Sequence, residues 1–112
     1  MPMSLLLRCL DLAQTRAFYA SVPGFGVRDS AEHTLTVEHD GCRLLFTAQD
    51  LWNGPPALSG TIYIDVADVA GLYATVKDCL PIAWPLQTMP YGSTEFAIQD
   101  CNGYLLAFQQ RG

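Results

Sequence analysis

Apolar and polar side chains alternate with a period of two over several short stretches, each closed by a turn signal. In 33–39, Leu35 and Val37 share one face and Thr34, Thr36 and Glu38 the other; in 61–66, Ile62, Ile64 and Val66 alternate with Thr61, Tyr63 and Asp65. This period places one face toward a core and predicts β-strands. Residues 3–10, 25–29, 42–48, 93–99 and 104–110 read as further strands. Between them the period changes. Leu12, Thr15, Tyr19 and Val22, and again Val69, Leu72, Tyr73 and Val76, fall on single stripes at helical spacing, which predicts one helix over 12–22 and a second from Val69. Asp11 and Asp68 stand at the N-cap positions, and Gln14 gives the first a capping-box pattern. Pro23-Gly24 ends the first helix. Asp40-Gly41 and Asn102-Gly103 supply the positive φ angles of hairpin turns. Pro81, Pro85 and Pro90 predict only a short strand plus a loop over 81–90.

The pattern occurs twice. Asp11-Leu12-Ala13 returns 57 residues later as Asp68-Val69-Ala70, and the turn at Gly41 returns 62 residues later at Gly103. The expected fold class is α+β, a single domain over 1–112 made of two βαβββ modules. The modules span about 1–49 and 61–112, joined by 50–60 with its Asn53-Gly54-Pro55-Pro56 run. One helix covers one face of a sheet. The free faces are therefore expected to curl as curved mixed sheets around a cup. Leu6, Arg8 and Glu38 would line it from the first module, and Tyr63, Asp65 and Glu95 from the second.

Composition narrows the partners. Half of the residues are hydrophobic and 15% are charged, below the usual ~25%, so part of the apolar surface is expected to be covered by a ligand or a second subunit. The net charge of −5 disfavours nucleic acid and anionic membranes and favours a neutral or cationic ligand. Cys9, Cys42, Cys79 and Cys101 follow neither zinc nor disulfide spacing and read as buried small hydrophobes. His33 and His39, at a strand end and a turn, read as solvated. Leu5-Leu6-Leu7 is too short for a signal peptide, and no stretch reaches membrane-spanning length, so a cytoplasmic location is expected.

In order and spacing, the chain resembles the vicinal oxygen chelate superfamily, which includes glyoxalase I, extradiol dioxygenases and the fosfomycin- and bleomycin-resistance proteins. The resemblance is carried by Leu10-Asp11-Leu12 with Arg16-Ala17-Phe18-Tyr19 and Gly24-Phe25, by Val66-Ala67-Asp68-Val69 with Leu72-Tyr73, and by the terminal hairpin 95–103. In that hairpin Cys101 and Asn102 replace the usual Pro and second Asp. The family's enzymes hold a divalent metal on His or Glu at four symmetric points. The resemblance puts these points at Ser4, Leu45, Thr61 and Ala107. None is a histidine or carboxylate, so no metal or other cofactor is expected. This departure points away from catalysis, toward a metal-free binding protein resembling bleomycin-resistance proteins that sequesters an aromatic or cationic molecule. A metal-dependent lyase or dioxygenase with its ligands elsewhere is the alternative.

The expected ligand-binding residues are Arg8, Glu38, Trp52, Tyr63, Asp65, Trp84, Tyr91 and Glu95. Trp52 in the connector, and Trp84 and Tyr91 in the second proline-rich loop, would stack on the ligand while the carboxylates meet its charge. Each also has a plainer reading: Arg8 as an internal ion pair with Glu38 or Glu95, the tryptophans as dimer anchors, Tyr63 as sheet packing. No Ser-His-Asp or Cys-His triad can be assembled. A homodimer is expected, since modules of this fold commonly pair across subunits.

Overall fold

The structure is a computed structural model in which residues 3–31 and 33–111 are described. The elements follow one another as β1 (Ser4–Arg8), α1 (Leu12–Ala20), β2 (Gly26–Asp29), β3 (Thr34–His39) and β4 (Cys42–Thr47), then β5 (Thr61–Asp65), α2 (Val69–Val76), β6 (Ile82–Thr88), β7 (Ser93–Gln99) and β8 (Leu105–Arg111). The chain divides into two compact units, the first ending at Ala57 and the second starting at Leu58.

Each unit holds one four-stranded mixed sheet. The first has the order β1-β4-β3-β2 and the second β5-β8-β7-β6. In each, the strand before the helix pairs in parallel with the last strand, and the remaining ladders are antiparallel. The parallel pairs are Leu6 with Leu45 and Tyr63 with Ala107, in the same register in both units.

Local chemistry explains the helices. Asp11 Oδ1 accepts from the Gln14 amide at 3.1 Å, and Asp68 Oδ1 accepts from the Gly71 amide at 3.1 Å. Each cap satisfies a helix-end donor and contributes about 1 kcal/mol. Helix α1 stops at Ala20, two residues before the expected end, and Val22 is buried beyond it in the following turn. α1 packs on β2, β3 and β4, and α2 on β7 and β8. Tyr19 meets Phe46 at 5.2 Å between ring centroids in the first unit, and Tyr73 meets Phe96 at 5.0 Å in the second. Leu7, Cys9 and Ile64 are buried on these helix-facing sides, as the alternation requires.

Several expectations are corrected. The sheets do not form curved walls around a cup: each is an open four-stranded sheet with two edge strands, β1 and β2 in one and β5 and β6 in the other, neither closed nor strongly curved. Four strands are too few for closure, which needs about eight. Residues 82–88 form a seven-residue strand instead of a short strand and loop. Register shifts on either side of Trp84 absorb Pro85, and β6 is an edge strand, where a missing N–H is tolerated. Trp84 therefore stands on a strand and not in a loop. His39 is packed against Phe25 at 5.3 Å, with its side chain only 13% exposed, where solvation was expected. Of the four cysteines only Cys9 is buried.

Candidate functional site

The helix-free face of the second sheet gathers five of the eight expected residues. Asp65 on β5, Gln109 on β8 and Glu95 on β7 are direct cross-strand neighbours, and Gln87 on β6 continues the row. One step along, Tyr63, Ala107, Ala97 and Trp84 form the next row. Side chains of one row point to one side of a sheet. A polar row thus lies beside one with an aromatic residue at each end.

Glu95 is 1% exposed, and its Oε2 accepts from the Tyr91 hydroxyl at 2.9 Å. Tyr91 follows β6 in the turn before β7 and is 63% exposed. Loss of water around its hydroxyl, the hydrogen bond to Glu95, the nearby Glu95 charge and the Tyr63 hydroxyl together push the Tyr91 phenol up to about 12. The folded state thus favours the neutral phenol over the ordinary value of about 10. The linked stability is complete below pH ~10 and is lost as pH rises toward ~12. Absorbance at 295 nm should accordingly show ionisation later than that of an ordinary tyrosine, and Tyr91→Phe should diminish that late phase. A titration unchanged by Tyr91→Phe would refute the contact with Glu95.

Beside this row lies an open groove of about 540 Å³ lined by Tyr91, Gly92, Ser93, Gln109 and Arg111. Gln109 Nε2 donates to Asp65 Oδ1 at 2.9 Å, and Arg111 Nε lies 4.0 Å from the same oxygen. Ser93 is 5% exposed, and its Oγ has no hydrogen-bond partner among the described residues. Nε1 of the half-buried Trp84 is also without one. Buried donors are seldom left unmade, at a cost of about 1–3 kcal/mol each. Ser93, Gln109 and Arg111 are not among the expected residues, although the alternation that puts Glu95 and Ala107 on this face reaches Ser93 two residues before Glu95, and Gln109 and Arg111 two and four residues after Ala107.

Arg8, Glu38 and Trp52 belong to the first unit. The Arg8 guanidinium donates to the Gly54 carbonyl and lies 3.8 Å from Asp50 Oδ2. Asp50 Oδ1 in turn accepts from the amides of Trp52 at 3.3 Å and Gly54 at 3.0 Å. The Gly54 amide, with the Arg8 charge and the other loop amides, outweighs partial desolvation and holds the Asp50 carboxyl below its ordinary range. Arg8 and Asp50 thus shape the loop that presents Trp52, 50% exposed. Glu38 Oε1 accepts from Arg28 at 2.7 Å, beside a small groove of about 170 Å³ lined by Gly26, Val27, Arg28 and Glu38.

The four family metal positions offer poor donors. Ser4 Oγ accepts from Arg43 Nε at 3.1 Å, Thr61 adds one hydroxyl, and Leu45 and Ala107 add none. Among the described residues no three His, Cys, Asp or Glu side chains gather where they could hold a metal ion. These positions do not fit a divalent cation, which takes imidazole, thiolate or carboxylate ligands.

Two βαβββ modules, each one helix on a mixed four-stranded sheet, define a duplicated α+β protein of the vicinal oxygen chelate class. The chain belongs to the Glyoxalase/Bleomycin resistance protein/Dioxygenase superfamily, whose model matches residues 3–108. Similar solved structures include a bleomycin-binding protein complexed with bleomycin (TM-score 0.77, 22% identity, covering 100% of this chain and 99% of that one). A bleomycin resistance determinant encoded on the transposon Tn5 has TM-score 0.78 and 22% identity, covering 99% of this chain and 98% of that one. TioX from Micromonospora sp. ML1 has TM-score 0.79 and 19% identity, covering 100% of this chain and 99% of that one. At these identities the likeness is one of fold. No curated protein sequence matches the chain. Among the described residues no helix is long and apolar enough to cross a membrane.

Proposed function

We propose that this protein binds and sequesters a planar aromatic or cationic small molecule without a metal, on the helix-free face of the second sheet. The observation that carries the reading is the meeting of the Tyr91 hydroxyl, with Tyr63 beside it, and the buried Glu95 carboxylate, in a row that Gln109 continues to Asp65 beside an open groove. A carboxylate buried with one neutral donor is poorly compensated, and a cationic group of a ligand would improve it. Tyr63, 47% exposed, and Tyr91 present ring surface to a flat body, and Trp84 adds an indole on the same face. The bleomycin complex among similar structures supports a heteroaromatic ligand by analogy of fold.

Tryptophan fluorescence titrated with heteroaromatic cations, bleomycin included, tests this. At least one compound should perturb the emission saturably, and Trp84→Ala should weaken it by about fivefold, the scale of one stacking contact. No perturbation by any compound would defeat the proposal, and an affinity unchanged by Trp84→Ala would take Trp84 out of the site.

A homodimer is part of the same reading. Leu6, Leu51, Trp52, Leu58 and Tyr63 are each more than two-fifths exposed, in a chain with 15% charged residues. Light scattering at micromolar concentration should return twice the chain mass of 12.3 kDa, with an interface of about 1,200–2,000 Å². A monomer mass would refute it.

A further inference from the structure

We propose that the groove between Tyr91 and Arg111 is a carboxylate subsite, so that the ligand is an aromatic compound carrying an acidic group as well as its donor or cationic group. The inference rests on the reading above in placing the ligand on this face. Its own support is separate. Ser93 and Arg111 are direct cross-strand partners on β7 and β8, so their side chains share a side of the sheet and both line the groove. Ser93 Oγ is buried without a partner, a donor that lacks an acceptor. The Arg111 guanidinium is 77% exposed and meets Asp65 only at 4.0 Å, beyond hydrogen-bond reach, so its forked donors stay available. Gly92, at φ +91°, turns the chain beside the groove, and the space where a Cβ would stand is open. A planar carboxylate suits a guanidinium fork with a hydroxyl beside it. A phosphate dianion suits it less. The groove has one cation, Asp65 stands beside it, and the chain carries a net charge of −5.

The test is an amide NMR titration with benzoate, benzylamine and phenyl phosphate as probes, on the wild type, Arg111→Gln and Ser93→Ala. Benzoate should shift the Gly92, Ser93 and Arg111 amides saturably. Arg111→Gln should raise its Kd by roughly fivefold or more, the scale of one charge-assisted contact at a partly exposed site. Ser93→Ala should raise it about threefold while Tm holds or rises, because an unmade buried hydroxyl is removed. A hydroxyl that merely braced the sheet would lower Tm instead. Phenyl phosphate should bind no more tightly than benzoate. The proposal is overturned if benzoate leaves those amides unmoved, if Arg111→Gln keeps its Kd within about twofold, or if phenyl phosphate binds more tightly. Benzylamine binding without benzoate binding would sink the carboxylate subsite and leave the proposed function standing; failure of both probes, with no heteroaromatic cation binding, would sink both.

Discussion

Replacing Glu95 by Gln is expected to weaken binding of a cationic aromatic compound by roughly ten- to a hundredfold, because a hydrogen bond to a charged group contributes about 1.5–3 kcal/mol. Glu95 is 1% exposed and its carboxylate accepts one hydrogen bond, from Tyr91 at 2.9 Å. Gln has the same shape and its amide oxygen still accepts from Tyr91, so the local packing survives. What disappears is the negative charge, and with it the pairing for a ligand cation. Removing a buried charge relieves desolvation, so Glu95→Gln should unfold at an equal or higher denaturant concentration than the wild type. Calorimetric titration beside urea unfolding separates the two effects. Undiminished affinity for the cation in a folded Glu95→Gln variant would show that Glu95 does not supply the charge.

The largest effect on stability is expected at the repeated phenylalanines. Phe46 and Phe108 occupy equivalent places in the duplicated hairpins, and both are at most 1% exposed. Phe46 meets Tyr19 at 5.2 Å and Phe108 meets Phe96 at 5.3 Å. Truncation to Ala removes the ring's burial and leaves a cavity, at a cost of about 3–5 kcal/mol. Total stabilities of about 5–15 kcal/mol make such a loss visible as a large shift of the urea midpoint. Each variant should show it. A loss below about 1 kcal/mol at either position would mean that the ring is not in a packed core.

Much of the fold was legible because its determinants are local. Asp11 and Asp68 cap the helices through amides three residues away, and the two strand-to-helix junctions repeat each other. Alternation told which face of β5 carries Tyr63 and Asp65, since neighbouring side chains on a strand must oppose each other. The chemistry at the family metal positions was legible too, because a leucine or an alanine has no donor in any conformation. The failures share a physical cause. The three prolines of 81–90 predict a short strand plus a loop; an edge position and two register shifts let one strand run past Pro85, and neither is visible within 81–90 alone. The cup was inferred from unpaired faces, but sheet curvature depends on how strands associate, and each sheet is open at four strands.

The site divides along the same line. Sequence by itself determined the duplicated βαβββ order, the helix-facing sides, and the residue types on the opposite faces, because period, capping and turn chemistry act over a few residues. Tertiary structure alone decided the partnerships. It placed Arg8 on the carbonyl of Gly54 and beside Asp50, 42 or more residues away in the chain. It bent the turn after β6 so that the Tyr91 hydroxyl reaches Glu95, and it set Ser93 opposite Arg111 through the register of β7 on β8. Contacts of this kind depend on loop conformation and strand register, where a shift of one residue turns every side chain to the other face. The residue types on each face could therefore be read from the chain, while the contacts among them had to come from the fold.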